Sequence, residues 1–165
     1  MICIGIDPGL NRTGYAVVQE AAGAGPGGLR LLEGGVLKSS PRLCLAERCL
    51  ELRRGLLDVL TDYAPEAAGI EKVFSLAKNP KTAVAMAHAR GALLVTLAEM
   101  EVPSHHFMPA EIKRHVAGDG QADKEQVQRA VQRLLGHDAP LEPNDVADAT
   151  AAAICGLSRA GRVAA

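Results

Sequence analysis

Aromatic side chains are scarce in this sequence: its 165 residues hold two Tyr, two Phe and no Trp. Any core must therefore be aliphatic, built from Leu, Val, Ile and the many Ala. The four cysteines (Cys3, Cys44, Cys49, Cys155) are scattered, with no C-x-x-C pair and no histidine at ligand spacing. That argues against a structural zinc site and reads as small apolar side chains in a reducing cytoplasm. No segment nears the roughly 18 uncharged apolar residues of a membrane span; the longest candidates are 91–98 and 149–157. The N-terminus lacks a cationic region and meets an acid at Asp7, so no secretory signal is expected and the location expected is cytoplasmic. Net charge is also missing, since 18 Lys and Arg face 19 Asp and Glu. A uniformly cationic nucleic-acid binder is excluded, whereas positive and negative groups separated in space are not.

What is present suits one domain spanning 1–165, with 48% hydrophobic and 22% charged residues. A chain of this length buries roughly two-thirds of its unfolded surface. Residues 2–6 form an apolar run of strand length, 7–11 a turn, 13–19 a second strand, and a third strand lies within 29–38. The Gly- and Ala-rich stretch 21–28 is a hairpin loop. The period then becomes helical. Ser40-Pro41 reads as a helix start, followed by Ala46, Cys49, Leu50, Leu56, Leu57, Leu60 and Tyr63 on one face.

A strand at 67–71 ends on Glu71, and Asn79-Pro80 opens a helix to about Glu101 with Val84, Gly91, Leu94, Val95 and Ala98 as its expected core face. A fifth strand is expected at 104–108 and helices at 109–117 and 123–135, with a last helix from Pro143-Asn144 to about Arg159. The order βββ-α-β-α-β-α-α-α predicts an α/β fold with a five-stranded mixed sheet flanked by helices, its fourth strand parallel to the first. Ligands of such sheets gather beyond the carboxyl ends of the strands.

Two strands end in acids there, at Asp7 and Glu71. Asp145 and Asp148, three residues apart in the first turn of the last helix, share one helix face. Asp7 could be turn chemistry and the two aspartates a helix cap. Glu71, however, ends an apolar strand where neither turn nor cap calls for glutamate. Four oxygen donors without His or Cys suit a hard divalent cation, Mg²⁺ or Mn²⁺.

These residues lie in motifs that resemble a known family. Gly5-Ile6-Asp7-Pro8-Gly9 with Thr13-Gly14-Tyr15, then Ile70-Glu71-Lys72-Val73-Phe74, Ala89-Arg90-Gly91 and Asp145-Val146-Ala147-Asp148-Ala149 resemble, in order and spacing, the RuvC family of bacterial Holliday-junction resolvases. The resemblance covers nearly the whole chain. It implies a ribonuclease-H-like fold, a four-way DNA junction as substrate, and Asp7, Glu71, Asp145 and Asp148 as a catalytic tetrad holding two Mg²⁺ ions.

Lys72, Lys78 and Lys81 punctuate the acid-free connection 72–81, which suits phosphate contact but also an ordinary solvated loop. By resemblance, Phe74 would stack on an unpaired base, and Lys113 and Lys124 would lie near DNA. Arg90 could reach phosphate or satisfy a helix contact, and the five histidines read as structural or surface residues. A homodimer matches the two-fold symmetry of a junction, with helix 80–101 a candidate face. Cooperation with the RuvA–RuvB branch-migration complex is also implied by the resemblance. A two-domain sugar-kinase-like phosphotransferase is excluded by length and by the lack of a second D-x-G loop. Setting aside the four proposed ligand acids turns the near-even charge balance positive, so binding to DNA is expected to be local and stronger with metal.

Overall fold

The computed structural model describes residues 1–23, 26–73 and 80–163. Five strands, β1 (Ile2–Asp7), β2 (Arg12–Glu20), β3 (Leu29–Lys38), β4 (Ala67–Glu71) and β5 (Ser104–Phe107), form one sheet in the order β3-β2-β1-β4-β5. β1, β2 and β3 make an antiparallel meander, while β4 runs parallel to β1 and β5 parallel to β4. The helices are α1 (Leu45–Tyr63), α2 (Pro80–Glu99), α3 (Pro109–Ala117), α4 (Lys124–Leu135) and α5 (Asn144–Val163). The mixed sheet and the order of elements are those expected.

Alternation along the strands divides the core between two faces. Ile4, Ile6, Val17 and Ile70 pack with Leu52, Leu56, Val59 and Leu60 of α1 and Ala89, Leu93 and Leu97 of α2. Cys3, Val18 and Ala67 face the other way, against α3, α4 and especially α5. All of this core is aliphatic except for the partly buried Tyr15, Tyr63 and Phe107 that pack against it.

Three expectations are corrected. First, α1 begins at Leu45 rather than at Ser40-Pro41. The Ser40 amide donates to Glu51 Oε2, and the helix is capped at Cys44, whose amide donates to Glu47 Oε2 at 2.9 Å. Second, its buried face is Leu52, Leu56, Val59 and Leu60, leaving Ala46 and Leu50 exposed. Third, the buried face of α2 is Ala89, Leu93, Thr96 and Leu97. Of the expected face, Leu94 packs partly against the core, whereas Val84 and Val95 turn outward, 57% and 56% exposed. On an alanine-rich helix apolar residues surround the whole circumference, so periodicity does not select a side.

Helix α5 settles the position of the site. Gly5 and Gly69 are register neighbours on β1 and β4. A Cβ at Gly5 would stand 1.8 Å from the Ala149 carbonyl oxygen, and one at Gly69 2.0 Å from that of Ala152. Only glycine permits this backbone-on-backbone approach. The helix thereby crosses the sheet in contact with it, from the Asp145 backbone over Gly14 of β2 to Ala152 over β4.

Candidate active site

Asp7 lies on the same face of β1 as Cys3, and Glu71 on the same face of β4 as Ala67, so both acids point toward α5. Because Ile6 pairs with Ile70 in a parallel ladder, the two carboxylates leave the sheet side by side at its carboxyl edge. Asp148, in the first turns of α5, closes the arrangement from above. Asp7, Glu71 and Asp148 line a cleft of about 260 Å³. Lys113 of α3 and Lys124 of α4 form its cationic wall, with Ile112, Val127 and Ala151 behind them.

Burial first, and mutual repulsion second, shift the carboxylates of the cleft toward their protonated forms. Burial raises Asp7 to about 6, with Asp148 and Asp145 adding repulsion and Lys124 opposing it. Glu71 is pushed up to about 7 by burial, then by Asp7 and Asp148, against the pull of Lys113 and Lys124. Asp148 is raised mainly by burial and relieved by Lys124, whose Nζ stands 3.8 Å from its Oδ2. Such a cleft carries more negative charge than its own lysines offset, which is the condition a bound cation relieves.

Asp145 stands apart. It does not line the cleft; instead its Oδ2 accepts from Arg12 Nη2 at 2.7 Å. Among the described residues, no three His, Cys, Asp or Glu side chains gather at metal-ligand spacing. The donor chemistry nonetheless fits a hard divalent cation, since the three acids of the cleft offer only oxygen and repel one another in a half-dry site.

Lys81 is exposed in the first turn of α2, outside the cleft. Phe74 and Lys78 lie outside the described residues. Two arginines gain roles not assigned to them from the sequence. Arg12 is the Asp145 partner, and Arg90 donates through Nε to the Glu71 carbonyl at 3.2 Å and through Nη2 to His106 Nδ1 at 2.8 Å. Strand parity was the available signal for Arg12, which shares the α5 face with Gly14 and Ala16.

The family model for the crossover junction endodeoxyribonuclease RuvC matches residues 3–156. The chain belongs to the RuvC family. RuvC of Rhodopirellula baltica is 42% identical over 153 residues, covering 93% of this chain and 84% of that one. RuvC of a Roseiflexus species is 44% identical over 152 residues, covering 92% and 88%. Among solved structures, Thermus thermophilus RuvC superposes with a TM-score of 0.87 at 36% identity, covering 98% of this chain and 97% of its own. The same protein in complex with a Holliday junction substrate matches with a TM-score of 0.87 at 34% identity, covering 98% and 96%. The yeast mitochondrial Holliday junction resolvase Ydc2, 12% identical with a TM-score of 0.65, shares the fold. The ribonuclease-H-like architecture is thus established. RuvC proteins are metal-dependent nucleases, and this chain is an enzyme of that family.

Proposed function

We propose that this chain, as one nuclease domain over 1–165, resolves four-way DNA junctions by paired symmetric nicks during recombination and repair. The observation that carries the reading is the cleft in which Asp7, Glu71 and Asp148 repel one another beside Lys113 and Lys124. Its support is the family match and the likeness to a RuvC solved with a Holliday junction.

In this reading Asp7, Glu71 and Asp148 hold two Mg²⁺ ions, or Mn²⁺ in their place, and Asp145 joins them once it leaves Arg12. Divalent ions held there would supply activation of the attacking water and charge stabilisation at the departing 3′ oxygen, and the expected products carry 5′-phosphate and 3′-hydroxyl ends. Asp7, on the inner strand beside Glu71 and Asp148, would be the most central of the carboxylates that hold the ions. Lys113 and Lys124 neutralise the phosphates entering the cleft and draw the backbone toward the acids. Lys78 and Lys81 extend that contact, and Phe74 stacks on an unpaired base at the junction centre.

A homodimer provides two cleavage sites related by the symmetry of the substrate. The outward apolar stripe of α2, with Val84, Gly91 and Val95, supports that helix as the face between copies. The RuvA–RuvB branch-migration complex is the proposed partner and the cytoplasm the proposed location. Among the described residues, no helix is long and apolar enough to cross a membrane.

The test is incubation with a synthetic four-way junction, a linear duplex and an RNA–DNA hybrid, each with Mg²⁺, Mn²⁺ or EDTA. Symmetric metal-dependent nicking of the junction alone is expected, lost in Asp7→Asn with junction binding retained. Cleavage of the hybrid in preference to the junction would overturn the reading, as would near-normal nicking by Asp7→Asn.

A further inference from the structure

The parallel pairing of β1 with β4 has a defect at its catalytic end. In this register, Gly5 pairs with Gly69 and Ile6 with Ile70, so the next opposed pair is Asp7 and Glu71. On the other side of β4, Ala68 and Lys72 donate their amides to Pro103 and Phe107 of the β5 side, at 2.9 and 2.8 Å. Peptide groups alternate in direction along a strand, so the Glu71 amide and carbonyl are directed toward β1. There the regular donor for the Glu71 carbonyl is the amide of residue 8. Residue 8 is proline and has no N–H.

The missing donor comes from elsewhere in the fold. Arg90 of α2 reaches the Glu71 carbonyl with Nε at 3.2 Å. Its Nη2 lies 2.8 Å from His106 Nδ1 on β5. Arginine only donates, so His106 Nδ1 accepts and the imidazole proton sits on Nε2, which is 3.0 Å from Ser104 Oγ. The guanidinium is therefore fixed at two points, one on β4 and one on β5. It acts from the α2 side of the sheet, opposite the face on which Glu71 presents its carboxylate.

We propose that Arg90 is a positioning residue for Glu71, replacing the hydrogen bond that Pro8 cannot give and fixing the strand end from which the carboxylate projects. This rests on the reading of Glu71 as a metal ligand, and partners that orient a ligand commonly matter about ten-fold or more for metal affinity. The role is distinct from phosphate contact, because both Nε and Nη2 are already engaged within the protein.

The experiment titrates the DNA-free protein with Mn²⁺ and reads free ion by electron paramagnetic resonance, for wild type, Glu71→Gln, Arg90→Ala and Pro8→Ala/Arg90→Ala. Arg90→Ala is expected to weaken Mn²⁺ binding about ten-fold, toward the Glu71→Gln value, with junction binding in EDTA unchanged. Restoring an amide with Pro8→Ala is expected to recover a measurable part of that loss. Wild-type affinity in Arg90→Ala, with Glu71→Gln impaired, would overturn the proposal alone; wild-type affinity in Glu71→Gln would overturn the ligand reading beneath it. A loss of junction binding in EDTA by Arg90→Ala would assign Arg90 to phosphate instead. Should Arg90→Ala fail to fold, His106→Leu removes the second anchor and is expected to shift Mn²⁺ affinity in the same direction by less; no shift would overturn the proposal.

Discussion

Arg12 holds Asp145 outside the cleft that the other three acids line, through a 2.7 Å contact between residues 133 positions apart in the chain. Both side chains are partly exposed, at 47% and 30%. The pair therefore adds little to stability, about 1 kcal/mol at most. Its consequence is electrostatic: with Asp145 a metal ligand as proposed, a fixed cation at the rim competes with metal for it. Arg12→Ala is expected to lower the Mg²⁺ concentration for half-maximal nicking a few-fold while leaving the melting temperature nearly unchanged. A metal titration of nicking rate beside a thermal melt checks both.

The raised carboxyls give the metal-free protein an unusual pH dependence. Asp7 at about 6 and Glu71 at about 7 bind protons more tightly folded than unfolded. Their contribution is fully present below the ordinary carboxylate range and is lost as pH rises through about 6 to 7. In EDTA, Asp7→Asn is therefore expected to gain stability over the wild type as pH climbs, by on the order of 2 kcal/mol above neutrality. Chemical denaturation at a series of pH values measures the difference, and saturating Mg²⁺ should erase it. A constant difference across that range would mean that Asp7 does not titrate in a shared, desolvated cleft.

Helix α5 rests directly on β1 and β4, so its seat tolerates no side chain. Gly5→Ala would drive a Cβ into the Ala149 carbonyl, whose oxygen lies 1.8 Å from the ideal position. We expect a loss of about 3 kcal/mol or more and, in any folded fraction, loss of nicking because Asp148 moves away from Asp7. Gly91→Ala has the opposite sign for the isolated fold. An added Cβ there meets nothing within 4 Å, and alanine in a helix gains about 0.5–1 kcal/mol over glycine. Denaturant midpoints of the two variants separate the cases.

The outward stripe on α2 tests the dimer. Val95 is 56% exposed, so Val95→Glu should leave monomer stability within about 0.5 kcal/mol of wild type. Sedimentation velocity should show the variant as a monomer, and junctions should be nicked once rather than in symmetric pairs. An unchanged dimer would remove α2 from the interface.

The course of the fold was legible where chemistry and period agreed. The apolar run before Asp7, the apolar strand closing on Glu71 and the Asn144-led helix carrying Asp148 all lie where the residue pattern indicates. What remained hidden has physical reasons. Helix α2 is alanine-rich on every side, so its pattern points Val84 and Val95 to the core although both are more than half exposed. Ser40-Pro41 has the composition of a helix start, yet Ser40 instead donates to Glu51 and the helix waits for Glu47 to satisfy Cys44. Asp145 and Asp148 share a helix face, but whether each enters the cleft depends on Arg12, a contact between distant segments that spacing does not encode. Arg90 had two readings in the sequence; its target is a carbonyl, and carbonyls carry no residue signature.

The crossing of α5 over Gly5 and Gly69 also imposes a timetable on synthesis. A ribosome has delivered Asp7 and Glu71 long before Asn144–Val163 emerges. Until then Cys3, Val18 and Ala67 lack the helix that covers them, and the two acids have no third partner. Helix α5 thus supplies both the cover for that face and the third carboxylate of the cleft, so seating the helix and completing the cleft are one event.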